Sequence, residues 1–452
     1  MNIRLQRGKH NNVTLDAISS KSHVHRLLIA AALSDNIEDS CFIQSNIVSD
    51  DMKATLRCLS SLGAMIDINE KGFVVRKPVS FKDEVCLNCG ESGSTARFLL
   101  PVSLLFSNSL KMNGEGKLPE RPFGPLNETL RNMGADISSD FLPLCAKGNL
   151  AAGEYVIPGD VSSQFISGLL FALPLLNDDS SIVLTTALES KGYVDLTIDV
   201  LKEFGVRIDA TETGYRIPGG QRYIAPKEIK SEGDWSNGGF LLCAGAVGNG
   251  ITIKGLNIAS PQKDSAVVDI LKQFGARVDT DDGSDLRLGE NHGFKSGVSV
   301  YADKLVHADI DAKDIPDLVP ALSVVAAYAD GITRFRNVGR LRIKESDRIE
   351  TISALLHQIG VKAETKEKDG QVDLLVYGKN SEEMNSSSAD TIGDLPITIN
   401  GYNDHRIVMA GAFTALRENQ PVVLTGAQAV NKSYPGFFEV CKLMGLSVTE
   451  EK

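Results

Sequence analysis

Eight cations stand where helices should begin: Lys21, Arg26, Arg97, Arg121, Lys344, Arg348, Arg406 and Lys432. Most lie in small-residue turns, such as Ser20-Lys-Ser, Gly90-Glu-Ser-Gly-Ser and Gly401-Tyr-Asn-Asp-His. A helix N-terminus offers unpaired N–H groups and the positive end of the dipole, so a Ser hydroxyl and an Arg or Lys in its first turn build an anion site. That many cations exceed the need of one phosphate and imply two multiply charged ligands. Against them stand few suitably placed acids, chiefly Asp317 and Glu345. In Lys344-Glu-Ser-Asp-Arg348 a helix would put Lys344 and Arg348 on one face and Glu345 about 100° away. A carboxylate among cations has its pKa lowered, whereas desolvation raises it, and an acid catalyst needs desolvation to prevail.

The elements that must position these residues repeat. Leu201-Lys-Glu-Phe-Gly205-Val reads as a helix end stopped by glycine and followed by a strand. The same phrase closes at Gly63, Gly134, Gly275, Gly360 and Gly445. The spacing is about 70 residues, widening to about 85, too long for a solenoid repeat and right for a small packed unit. Roughly 40 residues before each glycine, a Ser/Gly-rich start leads into a helix that is apolar nearly all round, near Ser22, Ser94, Ser163, Ser236, Leu318 and His405. Such helices belong inside and the glycine-stopped ones outside. Six modules fit two domains of three, crossing between Pro218 and Ser236, with Asn12–Asp16 as a strand opening the first. The polar stretch 380–394 reads as a surface loop that lengthens the fifth module.

Net charge is −11 over 452 residues, which argues against bulk binding of nucleic acid or acidic membrane. The longest apolar runs fall short of a membrane span, and the start of the chain shows no leader-like run, so the expected compartment is the cytoplasm. Seven scattered cysteines suit free thiols in a reducing compartment. Cys86-Leu-Asn-Cys89 has metal-like spacing but no second ligand pair, and reads as small core residues; no metal and no cofactor are expected.

Eight segments in order are similar to the 5-enolpyruvylshikimate-3-phosphate synthase family of enolpyruvyl transferases. They are Ser20-Lys-Ser-x-x-x-Arg26, Gly90–Arg97, Glu120-Arg-Pro122, Val161-Ser-Ser-Gln-Phe165, Ile315-Pro-Asp317, Lys344–Arg348, Asn403-Asp-His-Arg406 and Lys432-Ser-Tyr-Pro435. The resemblance implies an α/β fold, a two-domain inside-out α/β barrel of six βαβαββ modules, three per pseudo-threefold domain, with buried parallel helices. It implies one domain of residues 1–18 plus 232–452, an inserted domain of 19–231, and an active site in the cleft between them. It implies transfer of the enolpyruvyl group of phosphoenolpyruvate to the 5-hydroxyl of shikimate 3-phosphate. By motif, Lys21, Ser22, Arg26, Ser162, Ser163, Gln164, Ser190, Asp317 and Lys344 would hold shikimate 3-phosphate. Lys21, Gly93, Arg121, Gln164, Arg348, Arg406 and Lys432 would hold phosphoenolpyruvate. Asp317 would take the hydroxyl proton, Glu345 would give one to the methylene, and Lys21 would complete the catalytic set. The expected partners are these two small molecules, with no nucleic acid and no membrane, and the expected state is a monomer.

The chain departs from the family at Glu91-Ser-Gly-Ser94, where Asn-Ala-Gly-Thr is usual, at Ile18-Ser19, where Pro-Gly is usual, and at Arg340, where Asn is frequent. Glu91 is expected to bond a backbone donor or a cation such as Arg97 or Arg121 rather than face an anionic ligand. Two alternatives are weaker. The sister transferase acting on UDP-N-acetylglucosamine uses a loop cysteine, and Gly114–Pro122 has none. A sixfold clamp on nucleic acid needs basic inner helices, and these are apolar.

Overall fold

The repeated phrase has a local cause. In the computed structural model, which describes residues 1–8, 12–35, 40–281, 297–379 and 395–451, the outer helices Asp50–Ser61, Gly124–Asn132, Lys191–Glu203, Val267–Gln273 and Arg348–Gln358 end alike. Gly205 takes φ +76°, its N–H donates to the Lys202 carbonyl at 3.0 Å, and the Val206 N–H donates to the Leu201 carbonyl at 2.8 Å. Bonds of the same spacing run from Ala64 to Leu59, Ala135 to Leu130, Ala276 to Leu271 and Val361 to Leu356. This is a left-handed glycine cap, and its positive φ is why glycine recurs there.

Each module is βαβαββ, seen whole in Lys82–Asn88, the inner helix Gly93–Phe106, Ser107–Asn113, the outer helix Gly124–Asn132, Asp136–Ile137 and Leu144–Lys147. The first two strands pair in parallel, the fourth lies antiparallel to the second, and the third lies on its far side. Among the described residues, six four-stranded sheets share this plan.

The chain forms two compact units, residues 1–18 with 232–452, and residues 19–231. In the second, Glu228–Lys230 returns to pair with Cys41–Gln44 and gives the first module the strand it otherwise lacks. In the other unit, Val13–Asp16 pairs with Ile251–Lys254 and so belongs to the fourth module's sheet, not to the first module as its sequence position suggested. Asn2–Arg7 completes the sixth module between Val422–Thr425 and Leu446–Glu451.

The inner helices are buried on every side, because apolar residues occupy their whole circumference. Phe98 meets Phe171 at 5.7 Å in one unit, and Phe240 meets Phe413 at 6.2 Å in the other. Each such ring contributes about 1.5–3 kcal/mol through burial. This packing leaves only the helix starts free for polar work. Cys89 is buried as expected, but Cys86 is exposed, since strand alternation turns it to the opposite face. Among the described residues no helix is long and apolar enough to cross a membrane. The stretch 380–394 lies outside the described residues.

Candidate active site

In the unit of residues 19–231, Ser20 caps the helix Lys21–Ala32 and places Lys21, Ser22 and Arg26 in its first turns. Lys21 Nζ lies 2.8 Å from Asp51 Oδ2. Arg26 is buried, with Nε donating to Thr197 Oγ1 at 2.8 Å and Nη2 to the Tyr193 carbonyl at 2.8 Å, while its guanidinium stacks 4.9 Å over Phe98. That contact holds the cation on the inner-helix layer.

Ser162 caps the inner helix Ser163–Ala172 by accepting from the Gln164 N–H at 3.3 Å, and Ser163 begins that helix, buried. Gln164 is fixed at both ends of its amide: Oε1 accepts from Arg97 Nη1 at 2.7 Å and Nε2 donates to Ser94 Oγ at 2.9 Å. Arg97 is 5% exposed, lies between the Phe123 and Phe165 rings, and has an unpartnered Nε. Burial first, and then Arg121, push its pKa well below the usual guanidinium value. Two like charges thus converge beside Gly93, and their mutual repulsion favours an anion at that turn. A Cβ at Gly93 would lie 2.9 Å from Nη1 of both Arg97 and Arg121, so glycine keeps that space open. Arg97 was visible as a cation in a helix start, but its hold on Gln164 was not. Glu91 packs its carboxyl against Gly116, in the loop that leads to Arg121. Ser190 precedes the outer helix in the left-handed region at φ +54°, buried.

In the other unit, the four residues from Lys344 to Asp347 are not helical. A 3-10 turn spans Gly339–Ile343, Lys344 is extended, and Asp347 caps a helix starting at Arg348 by accepting from the Ile349 and Glu350 N–H groups. The Asp347 side chain competes for the backbone donors that a continuous helix would have used, and this corrects the expected helix face. Lys344 and Arg348 still converge, on Asp317 Oδ1 at 3.4 and 2.6 Å. Arg348 also forks onto Asp404 at 2.8 and 3.2 Å, and both are almost fully buried. Arg406 donates to the Ser236 carbonyl at 3.1 Å and stacks 4.8 Å over Phe240.

Glu345 Oε2 lies 3.0 Å from His405 Nδ1 and 3.7 Å from Lys432 Nζ, and Lys432 donates to the Asn403 carbonyl. Burial opposes the charge on Asp317, but Lys344, Arg348 and Arg406 outweigh it and hold the carboxyl well below its ordinary range. Burial likewise opposes the charge on Glu345, and His405, Lys432 and Arg348 outweigh it. The cations therefore win in both competitions, and both acids are ionised without ligand. Neither His405 nor Asp404 was expected as a partner of these groups. Their signal was adjacency in Asn403-Asp-His-Arg406. Glu345, Asp404 and His405 could offer donors to a metal. The Arg348 fork already occupies Asp404, and Lys432 stands beside Glu345, so a dication would meet repulsion there.

Solved enolpyruvyl transferases share this fold of repeated modules in two units. An EPSP synthase from Acinetobacter baumannii superposes with a TM-score of 0.75 at 24% identity, covering 99% of this chain and all of that one. The enolpyruvyl transferase NikO of Streptomyces tendae gives 0.72 at 16%, covering 99% and 98%. These two comparisons define the fold class. The chain belongs to the family described as EPSP synthase (3-phosphoshikimate 1-carboxyvinyltransferase), whose model matches residues 5–441. A 3-phosphoshikimate 1-carboxyvinyltransferase of Clostridium acetobutylicum is 40% identical over 439 residues, 95% of this chain and 94% of the relative. One from Clostridioides difficile is 37% identical over 446 residues, with 95% and 94% covered. The protein is accordingly an enzyme, a transferase.

Proposed function

We infer that the protein transfers the enolpyruvyl group of phosphoenolpyruvate to the 5-hydroxyl of shikimate 3-phosphate, a step of the shikimate pathway to aromatic amino acids. The hydroxyl oxygen forms a bond to C2 of phosphoenolpyruvate, its proton goes to a base, and C3 gains a proton. The resulting tetrahedral adduct then loses a proton from C3 and expels phosphate, restoring the double bond in the product. The reaction needs a base and an acid within a cage of cations.

The observation that carries this reading is the placement of Asp317 and Glu345, each a half-buried carboxylate hemmed by cations. Asp317, ionised, is suited to receive the hydroxyl proton. Glu345 has to be protonated before it can serve C3. Phosphate and carboxylate groups of the ligands offset Lys432 and Arg348, so desolvation regains weight and the Glu345 pKa rises when substrates bind. His405, at its side, is placed to exchange that proton with it. Shikimate 3-phosphate is held by Lys21, Ser22, Arg26, Ser162, Ser163, Gln164, Ser190, Asp317 and Lys344. Phosphoenolpyruvate is held by Lys21, Gly93, Arg121, Gln164, Arg348, Arg406 and Lys432. We place the enzyme in the cytoplasm, working as a monomer.

The test is phosphate release from purified protein given both substrates, with UDP-N-acetylglucosamine as the control acceptor. Release with shikimate 3-phosphate alone among the acceptors is expected. Release with the nucleotide sugar in its place would overturn the reading.

A further inference from the structure

Thr55 joins three segments of the unit of residues 19–231 through side chains that the substrate contacts above do not use. Its Oγ1 lies 2.6 Å from His25 Nδ1 and 2.7 Å from Thr95 Oγ1. Thr95 Oγ1 in turn donates to Ser92 Oγ at 2.7 Å. All four residues are 0–1% exposed. The chain runs from the helix Lys21–Ala32, across the helix Asp50–Ser61, to the turn before the helix Gly93–Phe106.

The first two helices meet by two rungs four residues apart, Lys21 on Asp51 and His25 on Thr55. Spacing of four on both helices keeps the rungs on facing sides. Ser92 is the cap of the third helix, accepting from the Thr95 N–H at 3.3 Å, and it immediately precedes Gly93. The relay therefore ends one residue from the point where Arg97 and Arg121 converge.

Its polarity is fixed by the far end. His25 Nε2 is buried without a partner, and an orphaned buried acceptor is tolerated better than an orphaned donor, so the proton sits on Nδ1 and is donated to Thr55. Thr55 then gives its hydroxyl proton to Thr95, and Thr95 gives its own to Ser92. Burial, with Lys21 and Arg26 adding to it and Asp51 opposing, lowers the His25 pKa to about 3, so the ring stays neutral throughout. A hydroxyl chain with a single direction holds its ends in register more strictly than apolar packing of the same volume would.

We propose that Thr55 is a positioning residue for the phosphoenolpyruvate side of the reaction: through His25, Thr95 and Ser92 it fixes the Gly93 turn against the helix that carries Lys21. This rests on the substrate reading given above. Thr55→Val keeps the shape and removes the donor and the acceptor together. The KM for phosphoenolpyruvate should rise about five- to tenfold, the upper figure being about 1.4 kcal/mol. The KM for shikimate 3-phosphate should stay within about twofold, and Thr55→Ser should restore the first constant to within the same factor. Thr95→Val should repeat the shift, and the double variant should exceed the larger single effect by less than twofold, because the chain acts as one unit.

A melting temperature that falls in Thr55→Val while both constants hold would make the residue merely structural and overturn the proposal. So would an equal rise in both constants. Should Thr55→Val fail to fold, Thr95→Val and Thr55→Ser carry the same comparison. Wild-type protein is assayed first, and no phosphate release from it would overturn the substrate reading and this proposal with it. Normal wild-type turnover with unshifted variants would sink the proposal alone.

Discussion

Gly93→Ala probes the anion site with a single methyl group. The added carbon would stand 2.9 Å from Nη1 of both Arg97 and Arg121, about 0.5 Å inside ordinary contact. Arg97 has little room to retreat, since Gln164 Oε1 holds that same Nη1 at 2.7 Å and aromatic rings lie at 5.2 and 5.4 Å. The displacement therefore falls on Arg121 or on the ligand. A hydrogen bond to a charged group is worth about 1.5–3 kcal/mol, and losing roughly half of one by misplacement costs about 0.8–1.5 kcal/mol, up to about a tenfold change. Steady-state phosphate release, with each substrate varied in turn, should show the KM for phosphoenolpyruvate raised about tenfold. The constant for shikimate 3-phosphate should move less than about twofold. A phosphoenolpyruvate constant within twofold of wild type would refute the reasoning, because it would mean that the two guanidinium groups do not meet the ligand at this turn.

Glu345→Gln keeps the shape of the side chain but cannot donate to C3, so turnover should fall by about 10²–10⁴ with substrate affinities little changed; a variant keeping half the wild-type rate would remove Glu345 from the acid role. Asp404→Ala strands the buried Arg348 cation, and chemical denaturation should show a loss of about 3–5 kcal/mol, whereas a loss under about 1 would mean that the Asp317 contact suffices alone. Asp264 is buried, and burial, reinforced by Asp317, raises its pKa to about 6. Its folded pKa is above its unfolded one, so stability is present below pH ~4 and lost as pH rises through about 6. Asp264→Asn should thus gain stability over wild type at pH 7–8, by about 2–3 kcal/mol, and the gain should shrink toward pH 5 in urea unfolding; a pH-independent difference would contradict that assignment.

The outer-helix phrase was legible because its cause spans only six residues. A glycine in the left-handed region and a Leu carbonyl five residues before the next amide close the helix wherever they occur. Buried inner helices were legible too, since a helix apolar on all sides has no other stable place. The cations at their starts could be listed from the sequence for the same reason, as cap residues and helix ends are local features. Partners were not. Val13–Asp16 looks like the opening strand of its sequence neighbours, yet it pairs with Ile251–Lys254, because an extended segment carries no label for the edge it will join. Lys344 and Arg348 were placed on a helix by spacing, and Asp347 broke that helix by capping it. The sequence showed Asp317 and Glu345 as acids among cations but could not say whether desolvation or charge would prevail. That balance depends on His405 and Lys432 standing 3.0 and 3.7 Å from Glu345 with Arg348 adding its field, and on the charges of Lys344, Arg348 and Arg406 acting on Asp317. Coulomb energy falls with distance and burial energy with solvent access, and both quantities exist only after distant segments have packed.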